Sequence, residues 1–377
     1  MQILQIKALS LNNFRNYIKL ELKFNSNLVV FFGRNAQGKT NILESIFLSC
    51  TGRSHRTPKD RELIFWDKDE ASVKILYSKE EGDSLIEIFL DSKERKKIHI
   101  NGVPAQRLGE LMGHLNSVLF SPEDLKLVKG GPGERRRFID MEISQIKPRY
   151  FYSLQQHNRI LKQRNNLLKE IQQNSSLRKT LPIWNEQLAK VSAYIMLQRK
   201  FFIDSIYNIS KRIHKEISAN GEELEVWYKP SISFDTDNLD EIAEILLEVL
   251  QKNEENDIKR GITERGCHRD DMLININGID VKTFGSQGQQ RTTVLSLKLS
   301  EIELMYKETG EYPILLLDDV MSELDNFRQK MLLSYLDKVQ TFITTTELMN
   351  LPGIKMQDIE LYEINKGNAS KYCINAL

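Results

Sequence analysis

Apolar positions along the chain change their period twice. Up to about residue 130 they alternate with polar ones: Ile3, Leu9 and Leu11, then Ile18, Leu20, Leu22 and Phe24. A period of two predicts half-buried strands. Leu28–Phe32 is apolar without a break, as in a strand covered on both faces. Asn101-Gly102 follows KIHI and Asn277-Gly278 follows LINI, and both predict tight hairpin turns. From about 135 to 260 the period lengthens. Leu154, Leu161 and Leu168 recur at heptad spacing. Trp184, Leu188, Val191, Ile195, Phe202, Ile206, Ile209, Ile213 and Ile217 follow three- and four-residue steps, which predicts a long amphipathic helix. Asn174-Ser175-Ser176 and Pro182 separate these two helices, and a third covers 239–250. From about 262 strand and helix patterns return. The expected organisation is therefore one α/β domain built from 1–134 and 262–377, interrupted by a helical arm at 135–261.

Chemistry enters with Gly33-Arg34-Asn35-Ala36-Gln37-Gly38-Lys39-Thr40. It fits G-x-x-x-x-G-K-[ST] between a buried strand and an amphipathic helix expected at 41–49. The glycines let backbone N–H groups wrap phosphates, and the helix N-terminus adds a positive dipole end. Lys39 would reach the β- and γ-phosphates of ATP, the Thr40 hydroxyl would sit on Mg²⁺, and Asn41 would lie beside them. Pro313-Ile314-Leu315-Leu316-Leu317-Asp318-Asp319 is an apolar strand ending in two carboxylates. Asp318 is placed to hold the magnesium shell and Asp319 to act as general base toward water. Upstream, Phe284-Gly285-Ser286-Gln287-Gly288-Gln289-Gln290-Arg291 opens a helix. Ser286, Gly288 and Gln289 would form a second anion-binding turn. Two phosphate-binding elements in one chain make sense when the second closes on the nucleotide of a partner chain.

Composition narrows the class. The chain of 377 residues is 40% hydrophobic with a formal net charge of +1, enough for a globular protein of two or three domains. Apolar runs are too short for a membrane span, so no membrane association and a cytoplasmic location are expected. Cys50, Cys267 and Cys373 show neither CxxC nor zinc spacing and read as reduced thiols. Charge is uneven. Residues 147–180 carry eight basic and one acidic residue, and 234–257 carry nine acidic and one basic. That asymmetry marks either a polyanion-facing surface or two segments that pair within one domain.

SQGQ with LLLDDVMSELD resembles the signature, acidic strand and D-loop of ABC/SMC-type ATPases. The resemblance is to the RecF family in particular. It extends to Asn13-Phe14-Arg15-Asn16-Tyr17, to FSPEDL followed by Gly130-Gly131-Pro132 and Arg135-Arg136-Arg137-Phe138, and to Gly266-Cys267-His268-Arg269-Asp270-Asp271, where Cys267 replaces a family proline. The match runs from Leu11 to Asp325. It implies an ABC-type head with a mixed sheet, an inserted helical arm, and an ATP-dependent homodimer. It also implies binding to DNA at single-strand/double-strand junctions with little sequence specificity, and action with RecR and RecO to help RecA displace single-strand-binding protein. Slow ATP hydrolysis would act as a switch in repair, recombination and replication. On this chain Lys39, Thr40 and Asp318 would hold Mg·ATP, Arg15 would lie near the nucleotide, Ser286 and Gly288 would reach the γ-phosphate across the dimer, and Asp325 would lie in its seam. Two departures stand out. The position of a γ-phosphate-sensing glutamine falls near Pro122-Glu123, and the switch histidine is replaced by Thr344-Thr345-Thr346.

Candidates for DNA contact are Lys93, Arg95, Lys96 and Lys97, the cluster Arg135 to Arg137, the arm residues Arg159, Lys162 and Arg164, and Ser54-His55-Arg56. Each cation that neutralises a phosphate adds affinity by counterion release. No base-reading motif is visible. A transporter ATPase, an SMC tether and a small-molecule kinase fit less well: the first lacks a reason for the arm, the second needs a far longer coiled coil, and the third has no use for SQGQ.

Overall fold

The computed structural model describes residues 4–80, 82–218, 221–346 and 359–372; Ile3 and Cys373 lie outside them. The chain divides into two compact units, Met1–Asp124 with Leu295–Leu377, and Leu125–Val294.

In the first unit, β1 (Gln5–Phe14), β2 (Tyr17–Lys23), β4 (Glu70–Lys79), β5 (Gly82–Asp91), β6 (Lys97–Ile100) and β7 (Val103–Pro104) form an antiparallel sheet in the order β2-β1-β4-β5-β6-β7. Leu20, Leu22 and Phe24 are buried as the alternation requires, but Ile18 is 61% exposed. In β1 the register against β4 shifts between Ile6 and Ala8, so Ile6 and Leu9 face the core across an odd step. The second sheet contains β3 (Leu28–Phe32), β8 (Ser117–Phe120), β12 (Ile314–Asp318), β13 (Thr341–Thr345), β14 (Ile359–Asn365) and β15 (Asn368–Tyr372), ordered β15-β14-β3-β13-β12-β8. It is parallel from β14 to β8, with β15 antiparallel at one edge. The apolar strands β3 and β12 are internal to it, as their unbroken hydrophobicity requires.

Helix α1 (Lys39–Thr51) touches β4 and β5 of one sheet and β8, β12 and β13 of the other. Every residue in it but Thr40 and Asn41 is buried. The amphipathic helix expected here is thus corrected to one covered on nearly all sides, because a sheet lies against each flank. Its polar residues are satisfied locally: Ser49 donates to the Ser45 carbonyl and Thr51 to that of Phe47.

The second unit contains α2 (Leu125–Lys129), α3 (Pro132–Ile146), α4 (Pro148–Gln173), α5 (Leu181–Ile217), α6 (Leu239–Lys252), α7 (Glu254–Arg260) and α8 (Val281–Phe284). It also holds the antiparallel sheet β9 (Leu224–Lys229), β10 (Asp271–Ile276) and β11 (Ile279–Asp280). Helix α9 (Gln287–Thr309) begins in this unit and belongs to the first from Leu295 onward. The unit extends beyond the expected arm, 135–261, at both ends. Pairing of β10 with β9 keeps 271–276 with the insert, a long-range contact that local periodicity does not report. Both Asn-Gly turns have the positive φ pair that such hairpins need: 51° and 79° at 101–102, and 52° and 77° at 277–278.

Of the heptad leucines only Leu168 is fully on the buried face of α4; Leu154 and Leu161 are half-buried. The buried residues are Tyr150, Phe151, His157, Ile160, Arg164, Leu167, Leu168 and Ile171, so His157 and Arg164 stand inside that face. Arg164 is fully buried. It donates to Asn185 Oδ1 at 2.8 Å, Asp257 Oδ2 at 2.8 Å and Thr263 Oγ1 at 2.6 Å. Arg178 pairs with Glu254 and Glu255, both at 2.6 Å. The basic and acidic segments therefore pair in part within this unit. A second buried network joins α3, α4, α5 and the 266–271 segment. Arg199 on α5 pairs with Asp140 at 2.9 Å and Asp270 at 3.0 Å, and donates to the Cys267 carbonyl. Tyr228 donates to Asp270, whose carboxyl burial pushes up while Arg199 and Tyr228 hold it down.

Candidate nucleotide site

The site grows from the end of β3. Gly33 takes φ +146°, and a Cβ there would stand 2.4 Å from the Ile364 carbonyl oxygen of β14. Only glycine lets the chain leave the sheet so close to its neighbour. Gly38, at φ +119°, would press a Cβ to 2.6 Å from the Asn16 amide and 2.7 Å from the Tyr17 hydroxyl. That contact exists because the turn between β1 and β2 braces the loop. Asn16 Nδ2 donates to the Gln37 carbonyl at 2.9 Å, Tyr17 OH to the Gly38 carbonyl at 3.1 Å, and Asn41 Nδ2 to Asn16 Oδ1 at 2.8 Å. From the opposite side the β14–β15 turn holds Gln37: the Lys366 amide donates to its Oε1 at 2.8 Å and the Gly367 amide to its carbonyl at 3.2 Å. Arg34, Asn35 and Ala36 are exposed at the crest, with Ala36 at φ +63°.

Lys39 opens α1. Its Nζ donates to the carbonyls of Gly33 at 2.5 Å and Arg34 at 2.9 Å. Burial lowers its pKa, opposed by the nearby Asp319 and Asp318 carboxylates. Thr40 Oγ1 donates to Asp318 Oδ1 at 2.8 Å, bringing together two motifs 278 residues apart. Thr344 donates to the same oxygen at 2.7 Å, and its Oγ1 accepts the Asp319 amide at 3.0 Å. Asp319 sits at φ +55°. Burial raises its pKa, Lys39 lowers it, and Asp318 adds to the rise.

Arg15, at φ +53°, makes a two-pronged bond to Glu44 of α1 at 2.8 and 2.7 Å and a third to the Glu62 carbonyl at 2.7 Å. Burial would raise the Glu44 carboxyl, but hydrogen bonds from Arg15 and Ser54, with the charges of Arg15 and Arg56, hold it below the usual range. Arg15 therefore tethers the β1–β2 turn to α1.

Ser286, Gly288 and Gln289 lie in the second unit. The Ser286 hydroxyl accepts the Gln289 amide at 3.2 Å, and Gln289 Oε1 accepts the Ser286 amide at 2.8 Å. That reciprocal pair is a capping box at the start of α9. Gln289 Nε2 donates to Glu222 Oε1 at 2.9 Å. Gln289, expected as a nucleotide ligand, is thus engaged in shaping the turn. Asp325 caps α10 (Asn326–Leu333) by accepting the Arg328 amide at 2.9 Å. At the glutamine position, Pro122–Asp124 is a short 3-10 turn.

Several basic candidates for DNA contact are committed elsewhere. Arg164 is corrected outright, being buried. Arg135 grips Asp271 at 2.6 and 2.8 Å and is 7% exposed. Arg136 donates to the Asp270 carbonyl at 2.6 Å, and Lys96 to Asp60 at 3.0 Å and the Gly52 carbonyl at 2.6 Å. Arg56 bonds Asn41 at 2.9 Å, whereas Lys97 stays exposed beside Glu94 at 3.0 Å. Lys93, Arg95, Arg159 and Lys162 are exposed.

The residues the sequence reading left without a role at this site are Asn16, Tyr17, Glu44 and the β14–β15 turn. Thr344 stands in sequence only where a switch histidine is usual. Each acts through a contact between segments remote in sequence, which periodicity does not carry.

Thr40 and Asp318 offer oxygen donors only. That suits Mg²⁺, which keeps most of its water and takes one or two protein oxygens beside phosphate. Among the described residues no cluster of three or more His, Cys, Asp or Glu could hold a metal. No described helix is long and apolar enough to cross a membrane.

A phosphate loop on one internal strand and an acidic pair two strands away define an ATPase head of the RecF/RecN/SMC class. The family model "RecF/RecN/SMC N terminal domain" matches residues 5–359. The DNA replication and repair protein RecF of Alkaliphilus oremlandii (strain OhILAs) is 50% identical over 363 residues, 96% of this chain and 99% of that protein. A solved structure of the recombination mediator protein RecF-ATP in the RecFOR pathway aligns with a TM-score of 0.92 at 38% identity, covering 98% of each chain. The Smc head domain of Pyrococcus furiosus aligns at a TM-score of 0.54 and 16% identity over 98% of this chain and 96% of that one, which shows a shared fold. The chain belongs to the RecF family.

Proposed function

We propose that this chain binds Mg·ATP between the 33–40 loop and Asp318, and that bound ATP closes two copies around DNA near single-strand gaps. The carrying observation is the 2.8 Å bond from Thr40 to Asp318. It holds a hydroxyl and a carboxylate side by side, and this pair would hold the magnesium that accompanies ATP. Magnesium would polarise the γ-phosphate there. Lys39 would leave the loop carbonyls for phosphate oxygens. Asp319, its carboxyl raised by burial, would take a proton from the attacking water. Asp319 has a shorter reach than glutamate and stands in a left-handed conformation, which fits slow hydrolysis and use of ATP as a switch.

The dimer rests on the capped turn at Ser286. A helix N-terminus with an oriented serine attracts a phosphate, and a partner's γ-phosphate is the ligand that unites both elements. DNA would be held through its backbone and shape by exposed cations such as Lys93, Arg95, Arg159 and Lys162. The place of the family in the RecFOR pathway makes RecR and RecO the expected partners and RecA loading the expected outcome, in the cytoplasm.

Solution mass of wild type and Ser286→Arg, with and without Mg·ATP, tests the sandwich. Wild type should double its mass with ATP. The variant should stay monomeric while still binding ATP through its own 33–40 loop, and should lose ATP-dependent retention on gapped duplex in gel shifts. A variant that dimerises as well as wild type removes the trans-acting role of Ser286.

A further inference from the structure

We propose that Thr344 is a positioning residue that orients both carboxylates at the end of β12. The inference rests on the Mg·ATP reading above and deepens it.

The proton count at this hydroxyl is unambiguous. The Asp319 amide must donate, so it occupies a lone pair of Thr344 Oγ1 at 3.0 Å. The single hydroxyl proton then goes to Asp318 Oδ1 at 2.7 Å. Thr40 donates to that same oxygen at 2.8 Å. Two hydroxyls on one carboxylate oxygen, from strand β13 and helix α1, stop the group rotating about its Cβ–Cγ bond. The carboxylate that would hold the magnesium shell thus has its plane already set.

The second bond acts on Asp319. A non-glycine residue at φ +55° is strained and persists only where its surroundings hold it. Thr344 holds the amide, and Ser322 donates to the carbonyl at 2.9 Å. One side chain thus sets the rotamer of the carboxylate proposed to hold magnesium and the backbone of the proposed base.

Sheet order makes this possible. In the parallel ladders Thr344 lies opposite Asp318 on one side and Phe31, next to the phosphate loop, on the other. Thr344 is 1% exposed, in a strand buried along its whole length that also carries Phe342 and Ile343. A hydroxyl there would lower stability without partners; both its partners belong to the site.

Thr344→Val keeps the branched shape and removes the hydroxyl, whereas Thr344→Ser keeps the hydroxyl and removes the methyl. The full-length protein is assayed for ATP hydrolysis at saturating Mg·ATP, for its Mg²⁺ dependence, and for binding of a fluorescent ATP analogue in EDTA. For Thr344→Val, kcat should fall about tenfold to a hundredfold, the loss of hydrogen bonds to a charged group. The Mg²⁺ needed for half-maximal rate should rise, while metal-free analogue binding stays unchanged. Thr344→Ser should restore most of kcat and the normal Mg²⁺ dependence. A valine variant with wild-type kcat and Mg²⁺ dependence overturns the proposal, as does a serine variant as impaired as the valine one, which would assign the effect to packing. If Thr344→Val does not fold, Thr344→Ala is compared with Thr344→Ser by the same criteria. Wild type that hydrolyses no ATP sinks the nucleotide reading itself, a result distinct from any difference among the variants.

Discussion

Lys39→Ala is expected to lower ATP turnover by at least about a hundredfold, the scale of losing one preorganised donor to a developing anion. Lys39 is the cation anchored at the first turn of α1, buried to 6% exposure. Its ammonium now rests on two loop carbonyls, at 2.5 and 2.9 Å. A γ-phosphate would exchange those neutral acceptors for charged ones, and charge-assisted bonds are about twice as strong. The alanine variant should keep its fold, because the loop is also held by Asn16, Tyr17 and the β14–β15 turn. Phosphate release, binding of a fluorescent ATP analogue and a thermal melt on the same sample check this. Turnover within tenfold of wild type would move the nucleotide away from this loop.

Arg199→Ala should cost the second unit about 3–5 kcal/mol of stability, the usual penalty for removing one partner of a buried ion pair. Arg199 is 2% exposed, and its guanidinium joins Asp140, Asp270 and the Cys267 carbonyl. Its loss leaves Asp270, 1% exposed, with Tyr228 and the Ser231 amide only among the donors named for it. Lysine should not rescue the loss, because a point charge cannot reproduce a planar fork reaching several acceptors. Denaturant unfolding followed by tryptophan fluorescence measures the change, since Trp184 and Trp227 both lie in this unit. A loss under about 1 kcal/mol would mean that the network relaxes around the gap or that water replaces the arginine.

The GCHRDD stretch shows why charged motifs read ambiguously. Its two aspartates resemble catalytic groups in type, yet Asp270 faces Arg199 and Tyr228, and Asp271 faces Arg135. They knit helices to the β9–β10 sheet. Arg164 misled for a related reason. Its positive charge in a basic helix made it a candidate for DNA contact, whereas the buried stripe of α4 runs through it. Spacing gives the period of a helix but not the phase of its buried face when polar residues share that face.

Local patterns alone determined a good deal here: the strands β3 and β12, both Asn-Gly hairpins, the 37-residue helix α5, and the phosphate loop. They did so because these features depend on dihedral preferences and hydrogen bonds among near neighbours. Sheet order was decided only by the folded chain. It put β13 between β3 and β12, so Thr344 reached Asp318, and it put two remote turns against Gln37. The Arg199 cluster and the extent of the second unit were settled in the same way. Such contacts are chosen by packing whole elements against one another and by giving each buried charge a partner; periodicity marks which face of an element is apolar, but not which remote element covers it.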